Sequence, residues 1–193
     1  MSGKPCPYWK NINMNPWGKR IPDCAIRAVS LGLVMRYPFV CKAFGKECKR
    51  GYGLYGVEGI DLEMIKKRFG PFFDVIEDAK DTAYENRPPE FEDMEFDPLI
   101  DQDEDWGLTL EEFCDLYEGT GRYLVALNTT HLERLLTKED AKHIVCCDLR
   151  PGKKSFADTW DSSWMRVECF MRIEKIWPTS RPESIWYLKN KKK

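Results

Sequence analysis

Up to about residue 70 the apolar residues recur at helical spacing, and after Gly121 they fall into short alternating or continuous runs. Ala25, Ile26, Ala28, Val29, Leu31 and Leu33 predict a helix that starts at Cys24, with Asp23 as its N-cap, and runs until Pro38 interrupts it near Tyr37. Gly32 weakens that helix without excluding it. Phe39 to Cys48 predicts a second short helix, ended by the glycine-rich stretch 51–59. Asp61 can cap a third, in which Leu62, Ile65 and Phe69 share one face before Gly70 and Pro71 stop it. Phe72 to Ile76 reads as a short strand. Thr109 and Glu112 form a T-x-x-E capping box that opens a helix through Phe113 and Leu116. Strand chemistry then takes over in Arg122 to Leu127, His143 to Leu149, Lys154 to Thr159 and Val167 to Ile173, with Arg150, Pro151 and Gly152 turning the second of these into the third. Helices first and an antiparallel sheet second is an α+β pattern. The first 23 residues, rich in proline and asparagine, read as an irregular approach segment.

Composition sharpens this picture in three places. A length of 193 residues supplies one sizeable core, so residues 1–193 are expected to form a single domain. Residues 77–105 carry thirteen acidic side chains against Lys80 and Arg87 and lack periodicity, which marks an acidic insertion. The net charge is only -2, and the one basic run is a tail at 189–193, so neither nucleic acid nor an anionic membrane is expected as a partner. Met1 to Lys10 contains no apolar core of signal-peptide length, no later stretch approaches the length of a membrane span, and the expected location is the cytoplasm.

Eight cysteines without a CxxC pair give zinc no local scaffold, and most read as small buried apolar groups. No metal and no cofactor is expected. Asp101, Asp103, Asp105 and Glu112 match four positions of a calcium loop, but Trp106 stands where the turn needs glycine, so a solvated acidic loop is the expectation. Cys24 is different from the other cysteines. At a helix start, partial positive charge and free N–H groups can stabilise a thiolate and later an oxyanion.

A thiol nucleophile needs a base, and the chain has two histidines. His143 opens an apolar strand, and the turn near Pro151 and Gly152 sets Asp158 nearly opposite it, where a carboxylate can orient the imidazole. His131, in a loop entering a short helix, is the competing base, and Asp161 is the alternative orienting acid. Arg27, one turn along the helix, can favour a thiolate or pair with a carboxylate of the insertion, the latter being preferred. Trp160 and Trp164 can line a groove, although core packing is the commoner use of such residues.

Asn13-Met-Asn15-Pro16-Trp-Gly18, continued by Asp23-Cys24-Ala-Ile26-Arg27-Ala28, resembles the amino-terminal motif of small uncharacterised proteins of bacteriophages and prophages of Gram-positive bacteria. Gly121-Arg-Tyr123, His143-Ile-Val and Asp158-Thr159-Trp160-Asp161-Ser162 resemble that group's closing block. The Cys, His, Asp order is similar to that of papain-like cysteine peptidases. The resemblance implies a papain-like fold with a catalytic Cys24, His143 and Asp158. Papain-like enzymes often place an oxyanion glutamine before the cysteine, and no glutamine precedes Cys24; Asn15 or Asn13 is the candidate substitute. The expected activity is a thiol hydrolase acting on a peptide or isopeptide bond of a peptide or protein substrate. The alternative is an inactive scaffold of the same fold that binds a host protein through its acidic segment, as an anti-defence or regulatory factor.

Overall fold

A computed structural model describes residues 4–13, 23–44, 60–79, 107–128 and 143–176. His131, Asn15, residues 80–106 of the acidic segment and the tail at 189–193 lie outside them. The helices are α1 (Cys24–Gly32), α2 (Tyr37–Phe44), α3 (Leu62–Phe69) and α4 (Leu110–Leu116). The strands are β1 (Trp9–Asn11), β2 (Phe73–Asp78), β3 (Gly121–Asn128), β4 (His143–Leu149), β5 (Ser155–Asp158) and β6 (Arg166–Ile173). They form one six-stranded sheet in the order β1-β5-β4-β3-β6-β2. The architecture is α+β.

The sheet is covered on both faces. Leu124, Ile144, Cys146, Met171 and Ile173 point to α1, α2 and α3, while the alternating Tyr123, Val125, Val145, Cys147 and Phe170 join Leu110, Phe113 and Cys114 of α4. Burial on both sides explains why β4 reads as a continuous apolar run rather than as an alternation. Thr109 and Glu112 close the expected capping box, and the Asp61 carboxylate accepts the Met64 N–H at 2.8 Å. Because the Glu112 carboxylate is held by Thr109, it serves a helix start; Asp101, Asp103 and Asp105 fall outside the described residues.

Three expectations are corrected. The approach segment contains a strand: β1 pairs parallel with β5, Trp9 to Phe156 and Asn11 to Asp158, so the sheet is mixed rather than antiparallel. The acidic segment begins later than Glu77, since Glu77 and Asp78 pair with Phe170 and Cys169 as the end of β2. Helix α1 ends at Gly32, five residues before Tyr37. Its end is a Schellman turn, in which Met35 N–H bonds the Ser30 carbonyl at 2.8 Å and Val34 N–H the Leu31 carbonyl at 3.3 Å. Val34 holds the left-handed position at φ 57°, a slot usually given to glycine.

The glycine two residues earlier is used for close approach instead. A Cβ on Gly32 would stand 2.6 Å from Ile173 Cδ1 and 3.2 Å from Leu124 Cδ2, both in the core beneath α1. Gly32→Ala is therefore expected to lower stability by about 1–3 kcal/mol through overpacking, read as a lower urea midpoint with an unchanged slope. A gain in stability from the better helix former would show that α1 is free to lift off the sheet.

Candidate active site

Cys24 is the first residue of α1, half-buried, and Asp23 occupies the N-cap position. The first intrahelical bond runs from the Arg27 N–H to the Asp23 carbonyl at 3.0 Å, so the N–H groups of Cys24, Ala25 and Ile26 precede the ladder. The Asp23 side chain makes no cap hydrogen bond, which corrects the expectation that it caps the helix. Its carboxylate is buried, accepting the Arg27 Nε–H at 2.7 Å and the Tyr37 hydroxyl at 2.6 Å.

His143 opens β4, and its Nε2 meets Asp158 Oδ2 at 2.6 Å. Strands β4 and β5 pair Cys146 with Ala157, Cys147 with Phe156 and Asp148 with Ser155. Continued, that register sets Trp160 opposite His143 and places Asp158 on the diagonal two residues away. The expected pairing was thus displaced by two residues, a shift that keeps Asp158 on the same face, where a long side chain can still reach. The turn is closed by Lys153 N–H to the Arg150 carbonyl at 2.7 Å, with Gly152 at φ 71° in the position where a type II turn requires it.

The Asp158 carboxylate is almost fully buried and meets three hydrogen-bonding groups and one cation. Oδ2 accepts His143 and the Ser162 hydroxyl at 2.8 Å; Oδ1 accepts the Thr159 N–H at 2.7 Å and lies 3.5 Å from Arg27 Nη1. Asp161 is not at the imidazole. It accepts the Cys6 N–H at 2.7 Å and the Ser163 N–H at 3.1 Å, and so ties the segment before β1 to the loop after β5. The same approach segment then follows β5, with Ile12 N–H on the Asp158 carbonyl at 3.0 Å, and exposed Asn13 comes next.

With Nε2 committed to Asp158, Nδ1 is the ring nitrogen left to interact with the Cys24 thiol, the second side chain that favours the imidazolium. Burial alone would raise the thiol pKa. The hydrogen bond and charge of His143, the Ile144 N–H and the Arg27 charge outweigh it, and the Cys24 pKa is lowered. Burial likewise disfavours the imidazolium, but the bonds to Asp158 and Cys24 prevail and the His143 pKa rises to about 9. The pair therefore favours thiolate and imidazolium together. Other thiols behave in the opposite sense: burial pushes Cys146 up to about 12, and Cys6 and Cys147 are also raised.

Trp160 and Trp164 are 39% and 43% exposed, which corrects the expectation that they pack in the core. Trp160 lies 5.3 Å from the His143 ring, centroid to centroid, and 5.8 Å from Trp164. Among the described residues Arg27 pairs with Asp23 and Asp158; residues 80–106 of the acidic segment lie outside them. The sequence reading missed the role of Ser162 and of the Ile144 N–H. Serine four residues after the acid is a signal only once the loop is known to fold back. Among the described residues no group of three or more His, Cys, Asp or Glu side chains is placed to hold a metal ion. No single helix there is long and apolar enough to cross a membrane. No family model, curated protein or solved structure matches the chain.

Proposed function

We propose that this chain is a papain-like thiol hydrolase that cleaves a peptide or isopeptide bond, with Cys24 as nucleophile, His143 as base and Asp158 as the group that orients the imidazole. One observation carries the reading: the imidazole of His143 bonds a buried Asp158 through Nε2 at 2.6 Å, and this same imidazole is coupled electrostatically to a thiol at a helix start. The Cys24 thiolate attacks the carbonyl carbon, and the C=O electron pair moves to oxygen. The oxyanion is received by N–H groups at the start of α1, with Asn15 as a candidate second donor. Collapse of the intermediate expels the amine, which takes its proton from the His143 imidazolium and leaves a thioester. Water, deprotonated by His143, attacks the thioester; the acid leaves and the thiolate returns. With the resemblance to phage and prophage proteins as support, we propose that the substrate is a protein of a bacterial host's cytoplasm.

Iodoacetamide at pH 6, followed by mapping of the modified thiols, tests the nucleophile. Cys24 is expected to react at least about tenfold faster than any other cysteine, because an ordinary thiol near pKa 8.5 is almost wholly protonated there. The rate should fall only as pH drops through the lowered Cys24 pKa, where thiolate becomes thiol. Incubation with a proteome-derived peptide library tests turnover, with cleavage expected from the wild type and none from Cys24→Ala. Equal reactivity of Cys24 and the buried cysteines would sink the assignment. A fast Cys24 without cleavage of any peptide or isopeptide reporter would favour the scaffold that binds a host protein.

A further inference from the structure

The catalytic pair is only part of a longer buried run of charge. Asp23 and Asp158 are each 2% exposed, and Arg27, at 7%, is the cation between them. Its Nε reaches Asp23 Oδ1 at 2.7 Å and its Nη1 lies 3.5 Å from Asp158 Oδ1. The order of groups from α1 to β4 is then Asp23, Arg27, Asp158, His143 and Cys24, alternating in sign when the thiol is ionised. Tyr37 of α2 adds a hydroxyl donor to Asp23. A buried guanidinium is costly to desolvate, and one carboxylate at 2.7 Å already pairs it. Its second contact, to the acid that orients the histidine, is what a purely local ion pair would not need.

Resting on the function proposed above, we infer that Arg27 is a positioning residue of the site: it pairs with Oδ1 of Asp158, leaving Oδ2 for His143, and so holds the acid that orients the base of Cys24. Helix geometry makes this possible, because Arg27 is one turn from Asp23 and three residues from Cys24, so one short segment carries both the nucleophile and the clamp on the acid. The groups that face it are Asp23 from the segment before α1, Cys24 from α1, Tyr37 from α2, His143 from β4 and Asp158 from β5. The direction of the Cys24 shift, to which Arg27 contributes, agrees with this arrangement.

The test is the pH dependence of Cys24 alkylation by iodoacetamide in the full chain, which needs no substrate. Arg27→Met is expected to move the midpoint of thiolate formation up by about one pH unit, a tenfold slower reaction on the acid limb. Arg27→Lys, which keeps the charge but not the fork, should reverse at least half of that shift. An unchanged midpoint in Arg27→Met, or a lysine variant that shifts as far, overturns the inference, since a merely structural arginine alters stability and not the midpoint. If Arg27→Met does not fold, Asp23→Asn decides: with less of the Arg27 charge neutralised the midpoint should fall, and an unchanged or higher midpoint is the overturning result. A wild-type Cys24 that is not acid-shifted at all would instead refute the proposed function.

Discussion

His143→Ala is expected to slow alkylation of Cys24 at pH 6 by about a hundredfold or more, while His131→Ala leaves it unchanged. Burial is the largest influence on this thiol and acts against the thiolate; the bond and charge of His143 are the leading influences on the other side. Without the imidazole, the Ile144 N–H and Arg27 must oppose burial alone, and the thiol returns at least to its ordinary range. A thiol of pKa about 8.5 is roughly one part in 300 ionised at pH 6. The difference between variant and wild type should narrow steadily toward pH 10, where both are thiolates. Cleavage should fall further than alkylation, by about 10²–10⁴-fold, because the departing amine also loses its proton donor. The wild-type imidazolium persists until pH rises through about 9, so hydrolysis should decline on that alkaline side. A His143→Ala protein that alkylates at the wild-type rate, with His131→Ala slow, would transfer the base role to His131.

Much of the site could be read from the chain because its parts depend on local rules. The helix start at Cys24 follows from apolar spacing, and β4 and β5 follow from the apolar runs on either side of a proline-glycine turn. Face parity survived a two-residue error in register, since a shift of two leaves every side chain on its own face of the sheet. The prediction of which histidine meets which acid therefore needed only parity and approximate reach.

What was not legible depends on contacts between distant segments. Strand β1 is three residues of a proline-rich stretch whose sheet partner, β5, lies more than 140 residues away, and no local propensity announces it. Asp23 carries the sequence signature of a cap, yet burial beside Arg27 and Tyr37 commits its carboxylate to them. The exposure of Trp160 and Trp164 follows from the path of the loop after β5, which is set by Asp161 gripping Cys6 and Ser163. In each case a polar group spends its hydrogen bonds on a partner that only the tertiary fold supplies.

Asp158→Asn is expected to cost about 10²–10⁴-fold in cleavage although the side chain keeps its shape. The carboxylate is held on both oxygens: His143 and Ser162 bond Oδ2, the Thr159 N–H bonds Oδ1, and the Arg27 cation lies 3.5 Å from Oδ1. An amide can satisfy only one of these sides. If its oxygen faces His143, its NH₂ group meets the Thr159 N–H and Arg27, donor against donor. If it turns over, the NH₂ group faces Nε2, which must then accept, and the ring's proton moves to Nδ1 beside Cys24. Either arrangement removes the anion whose hydrogen bond holds the His143 pKa near 9, so the imidazolium weakens and the thiolate with it. Alkylation at pH 6 should drop at least about tenfold, one pKa unit being a factor of ten. Asp158→Ala goes further, stranding Arg27 with a single partner and leaving Ser162 and the imidazole unpaired, and should lower stability by about 3–5 kcal/mol in urea unfolding. An asparagine variant with wild-type alkylation and cleavage would mean that His143 is oriented by its packing against Trp160 rather than by Asp158.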